Sequence, residues 1–118
     1  FIFHCATPEL RQSVRERVAD LPVELANSEV SSLEFSPAGV NKGTGLLALA
    51  ELLSIPRDAT IAVGDADNDL GMLRAAGLGI AMGNANESAR AVADAVVADN
   101  DHDGCAEAIR RFLLESEE

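Results

Sequence analysis

The chain contains no tryptophan and no tyrosine, so phenylalanine supplies all of its 3% aromatic content. An aromatic core is therefore excluded, and packing must rely on leucine, valine, isoleucine and alanine. Basic residues are also few. The chain has nine of them against 20 acidic residues, which gives a net charge of −11. A surface this acidic argues against nucleic acids and anionic membranes as partners. The length of 118 residues predicts one domain or part of one.

Cysteine is equally scarce. Cys5 and Cys105 are too few and too far apart in the sequence to indicate a disulfide framework or a zinc site, so we expect two buried, reduced thiols. No signal peptide is apparent, and no apolar run approaches the length needed to span a bilayer. These features predict a cytoplasmic protein.

The first 36 residues predict a β-α-β-β unit. Its elements are a strand at 1–3, a helix between Thr7 and Pro22, strands at 23–26 and 30–35, and a turn at 27–29 between the two strands. Leu33 and Phe35 alternate with Glu34, which is typical of a half-buried antiparallel strand. A turn at 36–39 follows, and we predict a domain boundary there, which divides the chain into 1–36 and 37–118.

From residue 42 onward, helical and strand patterns alternate, which predicts an α/β fold with a parallel sheet. The predicted strands are residues 61–63, 78–82 and 95–98. The helices between and around them begin near residues 42, 70, 87 and 105. The last helix aligns Cys105, Ile109, Phe112 and Leu113 on one apolar face, and the acidic residues 115–118 predict a frayed tail.

The most informative stretch joins the strand at 61–63 to the next helix. Gly64 ends the apolar run, and Asp65, Asp67, Asn68 and Asp69 follow within five positions. Open α/β sheets place their active sites at the carboxyl ends of strands, and closely spaced carboxylates indicate a hard cation such as Mg²⁺. Helix capping needs only one of these acids, and we assign it to an exposed Asp67.

Three alternative motifs fail on spacing. An EF-hand would need glycine and glutamate where Leu70 and Ala76 stand. A P-loop would need its glycines before the lysine, whereas Lys42 precedes Gly43. The glycines between residues 77 and 83 flank a predicted strand with the wrong spacing for a dinucleotide-binding fingerprint.

Lys42 is the only lysine among nine basic residues. An ammonium group is a compact point charge on a flexible stem, which the planar fork of arginine cannot replace. Lys42 also lies at a predicted helix start, where the helix dipole disfavours a cation. A nearby anion would explain this position.

Three segments, at 39–43, 63–73 and 79–85, together form a pattern that resembles a known family. They are similar to the C-terminal half of haloacid dehalogenase superfamily phosphatases of the Cof type, a sugar-phosphatase-like subfamily. The resemblance covers residues 37–114, and residues 1–36 resemble the last β-α-β-β part of that subfamily's cap domain. It implies a partial three-layer Rossmann-like core with a parallel sheet, preceded by a remnant of the cap.

The resemblance also implies roles for individual residues. Asp65 would bind Mg²⁺, and Asn68 would lie beside both the metal and the phosphate. Asp69 would orient Lys42 or support the metal, and Lys42 would neutralise the phosphoryl oxygens. The implied activity is Mg²⁺-assisted hydrolysis of phosphomonoesters, through an aspartyl-phosphate, on small metabolites of the sugar phosphate class.

The sequence departs from the family in one respect. The Asp-x-Asp-Gly-Thr segment that carries the family's nucleophile does not occur in these 118 residues, nor does the Ser/Thr motif that grips the phosphate. We therefore expect the C-terminal part of an enzyme, inactive alone, with an exposed sheet edge at 61–63 that favours self-association. The alternative is a non-catalytic binding domain that keeps a partial fold. The start at Phe1 rather than methionine favours a fragment.

Overall fold

The computed structural model describes residues 1–115 and contains two sheets. The strands are β1 (Ile2–His4), β2 (Val23–Ser28), β3 (Ser32–Pro37), β4 (Ile61–Gly64), β5 (Leu78–Ala81) and β6 (Ala95–Val96). The α-helices are α1 (Pro8–Arg17), α2 (Lys42–Leu52), α3 (Leu70–Ala75), α4 (Glu87–Val92) and α5 (Gly104–Ile109). Residues 116–118, and with them most of the predicted frayed tail, lie outside the described residues.

The first sheet is antiparallel, in the order β1-β3-β2. Its hairpin closes at the Ser28–Ser32 pair, so the turn predicted at 27–29 is wrong and residues 29–31 form it instead. Glu29 takes a left-handed conformation with φ of 52°, which lets it begin the turn. Asn27 stays in β2, where its side chain accepts a hydrogen bond from Arg15 and donates one to Asp67.

The two faces of this antiparallel sheet differ in character, because side chains alternate along each strand. One face packs against α1 and contains Leu33, which is fully buried, and the stacked rings of Phe1 and Phe35, 4.6 Å apart. The other face contains Glu24, Ala26, Glu34 and Ser36, which the strand register places together. The second face is therefore polar and acidic.

The second sheet is parallel, in the order β4-β5-β6. Alternate residues of β5 point to opposite faces and join different apolar clusters, as Ala81 and Ile80 do. Ala81 packs with residues of α3 and α4, and Ile80 packs with Ala108 of α5. Helices thus cover both faces of this sheet and form three layers.

Strand β4 lies at the edge of the parallel sheet, and among the described strands it pairs only with β5. Beside it runs an apolar groove of about 350 Å³ lined by Ile61, Val63, Ile109 and Leu113. Ile109 and Leu113 remain 50% and 57% exposed. The open edge expected from the sequence is present. It is bordered by Ile109 at the end of α5 and by Leu113 in the π-helical segment Arg110–Leu114 that follows.

The prediction of two buried thiols is wrong. Cys105 is exposed, because α5 faces the sheet with Gly104 and Ala108, and Cys5 is half-buried. Within residues 1–115, no helix is long and apolar enough to cross a membrane. The radius of gyration of 15.6 Å exceeds the value of about 13.5 Å for a compact domain of this length, which fits two separate sheets.

Helices α2 and α3 cross at very short range, and this crossing positions Lys42. Asn41 caps α2 by accepting the N–H groups of Gly43 and Thr44 at 2.8 and 3.0 Å. Gly43 then faces Gly71 of α3, and a Cβ at position 43 would overlap the carbonyl of Gly71. The first turn of α2 therefore lies directly against the start of α3.

Alanine substitutions two residues apart in α2 test this crossing. We expect Gly43→Ala to lower the free energy of unfolding by about 2 kcal/mol, because the helices must separate. Gly45→Ala is the matched control: no heavy atom lies within 4 Å of a Cβ there, so it should stabilise the helix by about 0.5–1 kcal/mol. Urea unfolding of both variants measures the difference, and equal effects would contradict the close crossing.

Candidate active site

The acidic turn after β4 is closed by the side chain of Asp69. Its Oδ2 accepts the backbone N–H groups of Asp65 at 2.9 Å and of Ala66 at 3.2 Å. Gly64 lies beneath it, where a Cβ would come within 2.6 Å of the Cβ of Asp69. The capping role predicted for Asp67 is wrong, because its two oxygens accept side-chain amides, whereas Asp69 reaches back over the 3₁₀ turn at Asp67–Asp69 to the N–H of Ala66.

The second oxygen of Asp69 accepts a hydrogen bond from Lys42. The Nζ atom lies 2.6 Å from Oδ1, with the lysine side chain 49% exposed and the aspartate side chain 7% exposed. Burial alone would raise the pKa of Asp69, but the hydrogen bonds from Lys42 and from the backbone of Asp65 and Ala66 outweigh it and lower this pKa below 3.8. Asp69 is thus the anion that compensates for a cation at the start of α2.

Asp67 is half-buried and joins three parts of the chain. Its Oδ2 accepts a hydrogen bond from Asn27 of β2 at 3.3 Å, and its Oδ1 accepts one from Asn86 at 2.9 Å. Asn86 in turn caps α4 by accepting the N–H of Ala89. Asp67 therefore fixes the antiparallel sheet and α4 to the acidic turn.

Asp65 projects from the carboxyl end of β4 and is exposed. Its Oδ2 lies 3.4 Å from the amide nitrogen of Asn84, which follows the neighbouring strand β5. Sequence reasoning assigned no role to Asn84 or Asn86, although both follow a strand whose carboxyl end meets that of β4. Asp65, Asn84 and Asn86 line one groove of about 490 Å³, together with Arg11 and Asp67.

Lys42 and Asn68 line a different cavity, of about 260 Å³. Its opposite wall is the acidic face of the hairpin, with Glu24, Glu34 and Ser36. The structure thus brings Lys42, Asn68 and Asp69 together, whereas Asp65 opens to the neighbouring groove on the other side of the turn.

The sequence also did not reveal a role in the site for Glu24 or Glu34. Glu24 Oε1 accepts a hydrogen bond from Asn41 at 2.7 Å, and Glu34 Oε1 lies 3.4 Å from the amide nitrogen of Asn68. The alternation along β3 predicts that Glu34 lies on the opposite face of the sheet from Leu33 and Phe35. Only the packing of the hairpin against the parallel sheet shows that this face lies opposite Lys42 and Asn68. Both acids belong to the walls of the candidate site.

The residues fit a magnesium ion in part. Asp65 offers an exposed carboxylate at the carboxyl end of a strand, and Mg²⁺ commonly binds through one or two carboxylates plus water and phosphate oxygens. Asp69 Oδ2 accepts two backbone N–H groups and Oδ1 accepts the ammonium of Lys42, so most of its acceptor positions are used and its contacts favour a role in supporting the metal site. Among residues 1–115, no three His, Cys, Asp or Glu side chains cluster at metal-binding distances.

Comparison with known proteins gives consistent matches. The family model of haloacid dehalogenase-like hydrolases matches residues 2–109. The chain is 35% identical over 115 residues to 5-amino-6-(5-phospho-D-ribitylamino)uracil phosphatase YcsE of Bacillus subtilis, covering 97% of this chain and 46% of that protein. It is 34% identical, over an alignment of 123 positions, to a phosphoglycolate phosphatase of Methanopyrus kandleri, covering 92% of this chain and 53% of that protein.

The fold has a similar counterpart among solved structures. A haloacid dehalogenase-like hydrolase from B. subtilis superposes with a TM-score of 0.90 at 37% identity, covering 95% of this chain and 40% of that one. The chain thus spans about half the length of these two phosphatases and 40% of the solved structure. The predicted α/β fold class, with a partial Rossmann-like core, is confirmed. The chain belongs to the haloacid dehalogenase-like hydrolase family.

Proposed function

We propose that this chain supplies the lysine-and-metal part of the active site of a Mg²⁺-dependent phosphomonoester hydrolase. The observation that carries the proposal is the Lys42–Asp69 pair, which holds an ammonium group beside a cavity at the carboxyl end of β4. Family membership and relatives named as phosphatases support it. The proposed substrates are small phosphorylated metabolites of the sugar phosphate class.

Lys42 is suited to bind a phosphoryl group. A lysine ammonium has three N–H donors, and Asp69 Oδ1 accepts one of them. The half-exposed ammonium can direct its other donors to non-bridging phosphoryl oxygens, where charge must be stabilised in the transition state. Asp69 then acts as a positioning residue that fixes the lysine and keeps the acidic turn closed.

Asp65 would hold Mg²⁺ through its exposed carboxylate, and the family resemblance adds the amide oxygen of Asn68, which lines the cavity on the other side of the turn. When bound, the ion would neutralise phosphoryl oxygens and orient the phosphate. Asp69 would support this site through the backbone of Asp65, whose N–H it accepts. Cytoplasmic location belongs to the same proposal, because an exposed free thiol such as Cys105 persists in a reducing compartment.

Turnover assays test the proposed division of the site. The 118-residue chain should release no phosphate from p-nitrophenyl phosphate in the presence of Mg²⁺, because it contains no Asp-x-Asp-Gly-Thr nucleophile segment. The product of the complete reading frame should release it, and Lys42→Gln should lower its kcat about 10²–10³-fold. Arg74→Gln, at an exposed cation on the neighbouring α3, is the control and should leave kcat unchanged.

Two outcomes would decide against this assignment. Mg²⁺-dependent turnover by the 118-residue chain alone would show that no further nucleophile is needed. A complete product that releases no phosphate would favour a non-catalytic binding domain instead. Cooperative thermal unfolding of Lys42→Gln confirms that any lost activity is not a lost fold.

Replacing the Asp69 carboxylate tests its structural role. Asp69→Asn should lower the free energy of unfolding by about 2 kcal/mol in buffer with chelator, because an amide cannot accept both the backbone N–H groups and Lys42. Asp58→Asn, at an exposed side chain, should change it by less than about 0.5 kcal/mol. The native pKa of Asp69 is lowered, so its contribution is complete above 3.8 and lost as pH falls through the lower native value.

Urea unfolding at several pH values measures both parts of this prediction. The stability gap between the native sequence and Asp69→Asn should be constant near neutral pH and should shrink below pH 3.8. A gap that stays constant down to strongly acidic pH would contradict the ionised state of Asp69.

We also propose that the open edge of β4 leads to self-association of the 118-residue chain. Its unpaired backbone groups and the groove at Ile109 and Leu113 offer a surface for a second strand. Sedimentation velocity should show dimers or larger species that increase with concentration. Ile109→Lys, at a half-exposed position, should shift the chain to monomer, and a clean monomer of the unmodified chain at high concentration would reject the proposal.

A further inference from the structure

The hairpin wall opposite Lys42 has the chemistry of a specificity surface. Glu24 pairs with Ser36, and Ala26 pairs with Glu34, so these four side chains share one face of the antiparallel sheet. That face closes a cavity of about 260 Å³ whose other wall holds Lys42 and Asn68. The cavity could hold about eight water molecules at their share of liquid volume, which is room for a small polar group.

Both carboxylates are held in place by amides next to the proposed phosphate-binding residues. Asn41, which precedes Lys42, donates to Glu24 Oε1 at 2.7 Å while its own oxygen accepts the N–H of Gly43. Asn68, which precedes Asp69, approaches Glu34 Oε1 at 3.4 Å. Each contact uses Oε1, and among residues 1–115 no hydrogen bond engages Oε2 of either glutamate, so these oxygens can accept hydrogen bonds from a ligand.

The charges of the two walls favour one kind of ligand. Lys42 attracts the phosphate on one side, whereas two glutamates on the other side accept hydrogen bonds and repel anions. A leaving group that carries hydroxyl or amino groups satisfies both walls. A leaving group with its own carboxylate meets two like charges in a partly desolvated cavity, which is strongly unfavourable.

We propose that Glu24 and Glu34 determine specificity, by accepting hydrogen bonds from hydroxyl or amino groups of the leaving group and by rejecting leaving groups that carry a second anion. This inference rests on the proposed phosphatase function and adds to it the charge of the substrate. Esters of neutral or amine-bearing polyhydroxylated alcohols are preferred, and phosphoglycolate, whose leaving group bears a carboxylate, is a poorer substrate by about tenfold or more.

Three substrates given to the product of the complete reading frame test the inference. p-Nitrophenyl phosphate reports on phosphatase chemistry, glucose 6-phosphate offers hydroxyl groups, and 2-phosphoglycolate offers a second anion. The ratio of kcat/KM for glucose 6-phosphate to that for 2-phosphoglycolate should exceed about tenfold in the native protein. The double variant Glu24→Gln, Glu34→Gln should lower this ratio at least about tenfold, because it removes both charges.

Glu9→Gln is the matched control, since Glu9 is exposed on α1 at the opposite face of the antiparallel sheet, and it should leave the ratio unchanged. The ratio is taken within each preparation, so a smaller folded fraction cancels. The single variants Glu24→Gln and Glu34→Gln should each give part of the change.

The outcomes distinguish a failure of the specificity inference from a failure of the proposed phosphatase function. Turnover of p-nitrophenyl phosphate with a ratio that the double variant does not lower would overturn this inference and leave the proposed function standing. A native protein that prefers 2-phosphoglycolate would overturn it as well. No turnover of any substrate, p-nitrophenyl phosphate included, would overturn the proposed function and the inference that rests on it.

Discussion

The carboxylate of Asp69 accepts two backbone N–H groups with one oxygen and the ammonium of Lys42 with the other. The first pair of contacts closes the turn that carries Asp65 and Asn68, and the second fixes the lysine beside them. Both depend on close backbone packing, because Gly64 leaves room for Asp69 and Gly43 lets α2 approach α3. One buried anion therefore sets the geometry of every residue proposed to meet the phosphate.

Short-range patterns in the sequence account for the parallel part of this fold. The apolar run that stops at Gly64, the acids after it and the helical spacing of apolar residues that follows predicted a strand, a turn and a helix. The structure contains β4, its turn and α3 in that order. The hairpin turn was misplaced because Glu29, and not the more turn-prone Asn27, takes the left-handed conformation. Asn27 remains in its strand, where it contacts Arg15 and Asp67, and such distant partners leave no signal in local periodicity.

The same limit applies to the candidate site. The resemblance to a family named Lys42, Asp65, Asn68 and Asp69, but it did not identify the wall opposite them. That wall depends on contacts between residues far apart in sequence, such as Glu34 with Asn68. Alternation along a strand shows which side chains share a face, whereas the docking of one sheet against another decides what that face meets. The cap predicted at Asp67 is wrong for a related reason, since the oxygens of Asp67 accept hydrogen bonds from Asn27 and Asn86, which lie far from it in the sequence.

The core buries mostly small side chains, so the larger apolar side chains beside the open edge of β4 matter for stability. Seven of the twelve buried hydrophobic residues in the described part of the chain are alanines, which bury little apolar area each. Larger aliphatic side chains, Ile109 and Leu113 among them, line the uncovered groove beside β4. Covering that groove would bury larger side chains than most of those now in the core. The net charge of −11 opposes association between copies at long range, so the groove must gain more from apolar burial and strand pairing than the chain loses by repulsion.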